Sequence, residues 1–176
     1  VILALAQRLA EHIAAELQPY CSRLEIAGSI RRRRPEVGDI DLVCIPKNMG
    51  HLTELLNRCA QKATPLKKGD QYAVFTLQNG FQLDLWIAHD GGFGEDPGLF
   101  ETELKKVPSN WGMLLLARTG SARHNVYLAQ VAKQRGLHFN PHRGVLRGKE
   151  IVASCTEEEI FSVLGLPFIR PEDRER

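Results

Sequence analysis

The chain has 176 residues, of which 43% are hydrophobic and 25% charged, with a formal net charge of only +2. That length buries roughly 70% of the surface the unfolded chain exposes, enough for one domain or two small lobes without disulfide or metal staples. So small a net charge does not by itself call for a polyanion partner such as nucleic acid, so any argument for one rests on local clustering.

Taken in chain order, Ile2, Leu3, Leu5, Ala6, Leu9, Ile13 and Leu17 recur at helical spacing and predict an amphipathic helix over 2–18, stopped near Pro19. Gln7, Arg8, Glu11 and His12 interrupt it, so it is neither a membrane span nor a signal peptide. "RLEIAG" alternates and predicts a short strand running into Gly28, and "DIDLVCIP" predicts a second strand from Asp39. A helix over 50–62 follows, then two strands, "YAVFTL" and "FQLDLWIA", joined by a hairpin at Asn79-Gly80. "HDGGFGEDPG" reads as a flexible break. Beyond it the pattern predicts helices over 109–118 and 121–135 and short strands over 137–139 and 144–152. A last helix over 156–164 has Thr156 as N-cap and Glu159 at capping-box spacing. Cys21, Cys44, Cys59 and Cys155 form no C-x-x-C pair and read as buried thiols in a reducing, intracellular setting. No histidine stands at zinc-ligand spacing to them.

The informative stretch is "GSIRRRRPEVGDIDLV", residues 28–43. Asp39 and Asp41 leave the same face of one strand, about 6–7 Å apart along it, while Ile40 and Leu42 face a core. Two carboxylates brought to around 4 Å repel by roughly 4 kcal/mol at an effective dielectric near 20, a cost that a divalent cation removes. An all-oxygen donor set selects a hard ion such as Mg²⁺. Asp84 lies in a strand of like character, so pairing of the two strands would cluster three acids. Ahead of them Gly28 and Ser29 offer an unobstructed anion cradle, and arginine follows with its phosphate-matching fork. An anion site and a cation site thus flank one short loop, the arrangement that a metal-bound nucleoside triphosphate requires.

G-S-x-R-R followed by G-D-x-D on an apolar strand resembles the nucleotidyltransferase signature of family X DNA polymerases. Asp84 in "QLDLW", "RTGSARHN" at 118–125 and the closing "EEEIFSVLGLPFIRPEDRE" are similar to further blocks of that family, in its order. The resemblance implies an α+β fold: a nucleotidyltransferase palm over 1–95, with a mixed sheet flanked by helices, and a small α/β lobe over 96–176 that contacts nucleotide and template. It implies a DNA-directed polymerase that extends a primer 3′ end, in gap filling or repair, with Asp39, Asp41 and Asp84 holding two Mg²⁺ ions for which Mn²⁺ can substitute. Ser29 and Arg32 would grip the β- and γ-phosphates, with Gly28 and Gly38 giving room. Thr119, Gly120 and Ser121 would face the sugar, and Asn125 the minor-groove edge of the base. Of the four arginines only Arg32 has a matched role; Arg31, Arg33 and Arg34 read as solvated or as general backbone contacts. Nothing ahead of Gly28 resembles a lyase or helix-hairpin-helix module, so DNA contact falls to Arg118, Arg123, Arg143 and Arg147, with Lys133, Arg135 and Lys149 nearby. The expected partners are primer-template or gapped DNA and a dNTP. A membrane is not expected, and the chain is expected to be a monomer in the cytoplasm or on the nucleoid.

Two departures matter. Ala117-Arg118 stand where many relatives carry an aromatic pair against the sugar, which implies weak discrimination against ribonucleotides. Gln82 stands where several have an arginine near the primer end. The alternatives are another nucleotidyltransferase acting on RNA or a small molecule, and a non-catalytic module that binds DNA ends.

Overall fold

The computed structural model describes residues 1–68, 71–94 and 105–175. It opens with α1 (Leu3–Leu17), which buries Ala6, Ala10 and Leu17 and ends in a short 3-10 turn at Pro19. Next come β1 (Cys21–Ile26), a one-turn helix α2 (Gly28–Arg31), β2 (Asp39–Pro46), α3 (Met49–Lys62), β3 (Ala63–Lys68), β4 (Tyr72–Leu77) and β5 (Gln82–Ile87). The five strands form one mixed sheet in the order β1-β2-β5-β4-β3. Only β2 and β5 run parallel; the other neighbours are antiparallel.

Strand alternation separates the two faces of this sheet. Ile40, Leu42, Cys44, Leu83, Leu85, Ala73 and Phe75 pack under α1 and α3 in the main core, each contributing roughly 1.5–3 kcal/mol if large and fully buried. On the opposite face Val43 and Ile45 meet Trp111, Leu114 and Leu115 from the C-terminal half. The acids of β2 and β5 share that second face, so the helix that covers it also borders them.

The C-terminal half contributes α4 (Trp111–Thr119), α5 (Ala122–Gln134), β8 (His138–Asn140), β9 (Gly144–Arg147), β10 (Glu150–Ala153) and α6 (Glu157–Val163), following a small pair β6 (Gly92–Gly94) and β7 (Lys105–Val107). Its own core gathers Met113, Leu116, Leu128, Phe139, Val145, Ile160 and Phe161. Thr156 caps α6 as its sequence predicts, accepting from Glu159 N at 3.1 Å, while Glu159 Oε2 accepts from Cys155 N at 3.2 Å.

The expected α+β class, a mixed sheet flanked by helices, holds. Several elements differ from expectation. Gly28–Arg31 is helical, because Arg31 N and Arg32 N find carbonyls at Ala27 and Gly28. Ala63–Lys68 adds an edge strand to β4. Residues 144–152 resolve into two strands that turn at Gly148 and Lys149. The glycine-rich run enters β6 before its remainder, and the expected lobe boundary near 95, pass outside the described residues. Among the described residues no helix is long and apolar enough to cross a membrane, and all four cysteines are free.

Candidate nucleotidyl-transfer site

Parallel pairing sets Asp41 of β2 directly beside Asp84 of β5, with Asp39 beside Gln82. Parallel neighbours lie about 4.8 Å apart, so the hydrogen-bond register itself carries the expected juxtaposition. Asp84 is 8% exposed. Its Oδ2 accepts from the Tyr72 hydroxyl at 3.0 Å and its Oδ1 from Gln82 Nε2 at 2.6 Å. Asp41 Oδ1 accepts from Trp86 Nε1 at 3.3 Å. Burial, then the charges of Asp39 and Asp84, push the Asp41 carboxyl up to about 7, against the Trp86 bond and the Arg118 charge. Asp39 is raised as well, by burial and then by Asp84. The acids repel one another more than the nearby Arg118 and Arg32 charges offset, and the carboxylates of Asp41 and Asp84 accept from the neutral donors Trp86, Tyr72 and Gln82. In that arrangement no three His, Cys, Asp or Glu side chains among the described residues gather tightly enough to enclose a metal ion.

The anion side adjoins them. Gly28 has φ +59°, and a Cβ there would stand 2.0 Å from Asp41 Oδ2, so only glycine lets the α2 turn approach the acid. Ser29 Oγ is buried and has no hydrogen-bond partner. A hydroxyl withdrawn from water without a partner costs about 1–3 kcal/mol, which a phosphate oxygen would recover. Gly38 has open space around it.

The "RTGSARHN" segment meets α2 from the other lobe. Thr119 is fully buried, and its hydroxyl accepts from Arg31 Nη1 at 2.7 Å. Arg32 Nη1 donates to the Thr119 carbonyl, and Arg32 Nε donates to Glu175 at 2.5 Å. Gly120 turns at φ +72°, with Arg32 Nη1 only 3.2 Å from where a Cβ would be. Ser121 caps α5, accepting from His124 N at 3.2 Å. Asn125 Nδ2 donates to the Ala117 carbonyl at 2.8 Å, and its Oδ1 is buried without a partner. Gly28, Ser29, Arg32, Thr119, Gly120 and Ser121, far apart in the chain, thus converge around one turn.

Sequence reading missed how this turn is fastened. Arg31, expected in solvent or on a nucleic-acid backbone, instead donates bidentately to Glu157 at 2.8 and 2.7 Å. Arg174, fully buried, donates to the same carboxylate at 2.7 Å. Burial raises Glu157, but the Arg31 hydrogen bond and the two guanidinium charges outweigh it and hold the carboxyl below its usual range. The signal was the acidic run after Thr156, whose partners only the fold reveals. Arg34 lies 3.6 Å from Glu175, while Arg33 is exposed as expected. Of the basic residues assigned to DNA, Arg123 and Arg147 are exposed and Arg143 is half-buried. Arg118 is half-buried too, with its Cζ 3.5 Å from the centroid of the Trp86 ring.

A parallel strand pair bearing facing aspartates lies beside α2, whose end meets the Thr-Gly-Ser turn between α4 and α5 through Arg31 and Arg32, so the chain is a mixed sheet with a smaller α/β half packed on one face. Comparison with known proteins agrees. Residues 114–175 match the family model for the DNA polymerase beta thumb. The chain is 28% identical over 174 residues to the DNA polymerase/3′-5′ exonuclease PolX of Bacillus subtilis (strain 168), covering 97% of this chain and 28% of that protein. It is 28% identical over 165 residues to DNA polymerase lambda of Rattus norvegicus, covering 84% and 28% respectively. The fold matches Leishmania infantum polymerase beta, solved as ternary primer–template and gap complexes, with a TM-score of 0.74 for each. Identity is 17% and 16%, and the match covers all of this chain and 77% and 71% of those chains. The chain is similar in sequence to these DNA polymerases, and spans 28% of the length of the curated relatives it matches.

Proposed function

We propose that this chain performs nucleotidyl transfer as a DNA-directed DNA polymerase, adding dNTPs to a primer 3′ end in template-guided gap filling. The observation that carries the reading is the Asp41–Asp84 register beside the buried, unpartnered Ser29 hydroxyl. An all-oxygen acid set next to an anion cradle suits a hard cation shared with a triphosphate.

Asp39, Asp41 and Asp84 would hold two Mg²⁺ ions, which when bound lower the pKa of the primer hydroxyl and neutralise charge on the transferred phosphoryl group. The chain's own residues do the positioning. Gly28 keeps the α2 backbone against Asp41, so triphosphate tail and acids stay at a fixed separation. Ser29 Oγ donates to a β- or γ-phosphate oxygen, and Arg32 supplies its remaining N–H groups to the same tail. Thr119, held from both sides by Arg31 and Arg32, fixes the Gly120–Ser121 turn as the floor under the sugar. Asn125 exchanges its bond to Ala117 for the minor-groove edge of the base. Arg123, Arg143 and Arg147 meet backbone phosphates of the duplex, which gives binding an inverse dependence on salt; Arg118 is the least available of that basic group.

The test is primer extension by the whole chain on a one-nucleotide gap, a recessed primer and a single strand, in Mg²⁺ and in Mn²⁺. Templated extension lost in Asp41→Asn supports the reading. Untemplated addition to RNA or a small molecule would favour another nucleotidyltransferase. DNA-end binding with no extension under any condition would leave a binding module.

A further inference from the structure

Trp86 stands at the centre of a three-layer stack beside the acids. Tyr72 lies against its ring, with centroids 3.8 Å apart and planes 24° apart. Arg118 Cζ is 3.5 Å from the ring centroid. Each face of one indole has room for a single group at that distance, so the phenol and the guanidinium cover opposite faces. Both aromatic members are tied to the acid pair, Trp86 to Asp41 and Tyr72 to Asp84, through the bonds at 3.3 and 3.0 Å. Arg118 arrives from α4, an element of the other lobe. Its Nη2 lies 3.4 Å from His142 Nε2, and its Nε is buried with no partner. A guanidinium in so poor a hydrogen-bonding environment must be held by something else. The aromatic face accounts for part of that hold, and the field of the acids for the rest: Asp41 and Asp84 both act on Arg118 against the effect of its burial.

We propose that Arg118 is a positioning residue, the resident counter-ion of the Asp41–Asp84 pair, which fastens the α4 end to the palm until divalent ions take over the charge it offsets. The inference rests on the reading of those acids as a metal-binding set. Arginine and divalent cation then draw on the same negative field. The half-buried guanidinium repels an arriving divalent ion, so its removal tightens metal binding by ~3- to 10-fold at low salt. A purely structural contribution from Arg118 predicts the opposite sign, because loosening the face that carries the acids weakens any site built on it.

The experiment is a Mn²⁺ titration of the whole chain without DNA or nucleotide, counting free ion by electron paramagnetic resonance. Arg118→Met is expected to bind Mn²⁺ ~3- to 10-fold more tightly than wild type, Arg118→Lys to stay within about twofold, and Arg8→Met on the far helix to change nothing. Arg118→Gln carries the same expectation should the methionine variant fail to fold. Affinity unchanged or weakened in a folded Arg118→Met or Arg118→Gln overturns the counter-ion role while leaving the metal site standing. Equal Mn²⁺ binding by wild type, Asp41→Asn and Asp84→Asn would instead remove the metal site itself, and this inference with it.

Discussion

Asp41 and Asp84 are register partners on parallel strands, each hydrogen-bonded to a different member of the stacked Tyr72–Trp86 pair. Two acids so placed oppose folding and favour cation binding, and this conflict yields the first prediction. The folded Asp41 carboxyl sits near 7, against about 3.9 when unfolded. A raised pKa means that the contribution of this group to stability is whole below pH ~4 and is lost as pH rises through 7. In EDTA at pH 8, Asp41→Asn should therefore melt roughly 5 °C or more above wild type, the difference shrinking by pH 4. Added Mg²⁺ should raise the wild-type melting temperature and leave the variant's in place. Calorimetry at the two pH values reads this, and a variant less stable at pH 8 would refute it.

Ser29 separates binding from folding. Its hydroxyl is buried and unpartnered, so Ser29→Ala should cost no stability and should add about 1 kcal/mol. Loss of one phosphate hydrogen bond should raise the nucleotide KM about tenfold with kcat held within a few-fold. Gly28→Ala is the contrast: its Cβ enters the space of the Asp41 carboxylate, and both stability and turnover should fall. Steady-state kinetics beside urea melts distinguish the pair, and a Ser29→Ala enzyme with unaltered KM would dismiss the hydroxyl as a phosphate ligand.

Glu157 is the fastener between the lobes. Replacing it with glutamine leaves Arg31 and Arg174 without their shared charge, at a cost of roughly 3 kcal/mol, toward the low end for a broken buried pair because Arg31 retains Thr119 and some solvent. The folded carboxyl lies below its usual value, so this contribution is present above pH ~4.5 and is lost as pH falls through the folded pKa. Wild type should lose stability between pH 5 and 3 more steeply than Glu157→Gln. Parallel slopes in that window would show the pair to be energetically silent.

Ala117 and Arg118 precede the Thr-Gly-Ser turn, with no aromatic ring to crowd a ribose 2′ hydroxyl. Single-nucleotide insertion should give kcat/KM values for rNTP and dNTP within about tenfold of one another, where one methylene-sized contact is worth only ~1–3 kcal/mol. A preference for dNTP of several thousandfold would assign the selection to other residues. Introducing an aromatic side chain by Ala117→Tyr should shift the balance toward dNTP.

Much of this molecule is local and hence readable. Alternation in "DIDLVCIP" fixes which side of β2 carries Asp39 and Asp41, since successive side chains must point to opposite faces. Asn79-Gly80 places the β4–β5 hairpin, and the Thr156–Glu159 spacing places the start of α6. Each of these rests on interactions spanning a few residues. The sequence alone could not decide that β5 inserts beside β2 in parallel, and so could not bring Asp84 to Asp41, because strand order depends on which apolar faces bury together across the whole chain. Nor could it show that Arg31 leaves solvent for Glu157, the carboxylate that Arg174 also grips, or that Arg118 lies on Trp86: the partners are separated by up to 126 residues. The identities of the acids and the turn residues are written locally, while their meeting and the charges that offset them come from packing, which is where the chemistry of the site is determined.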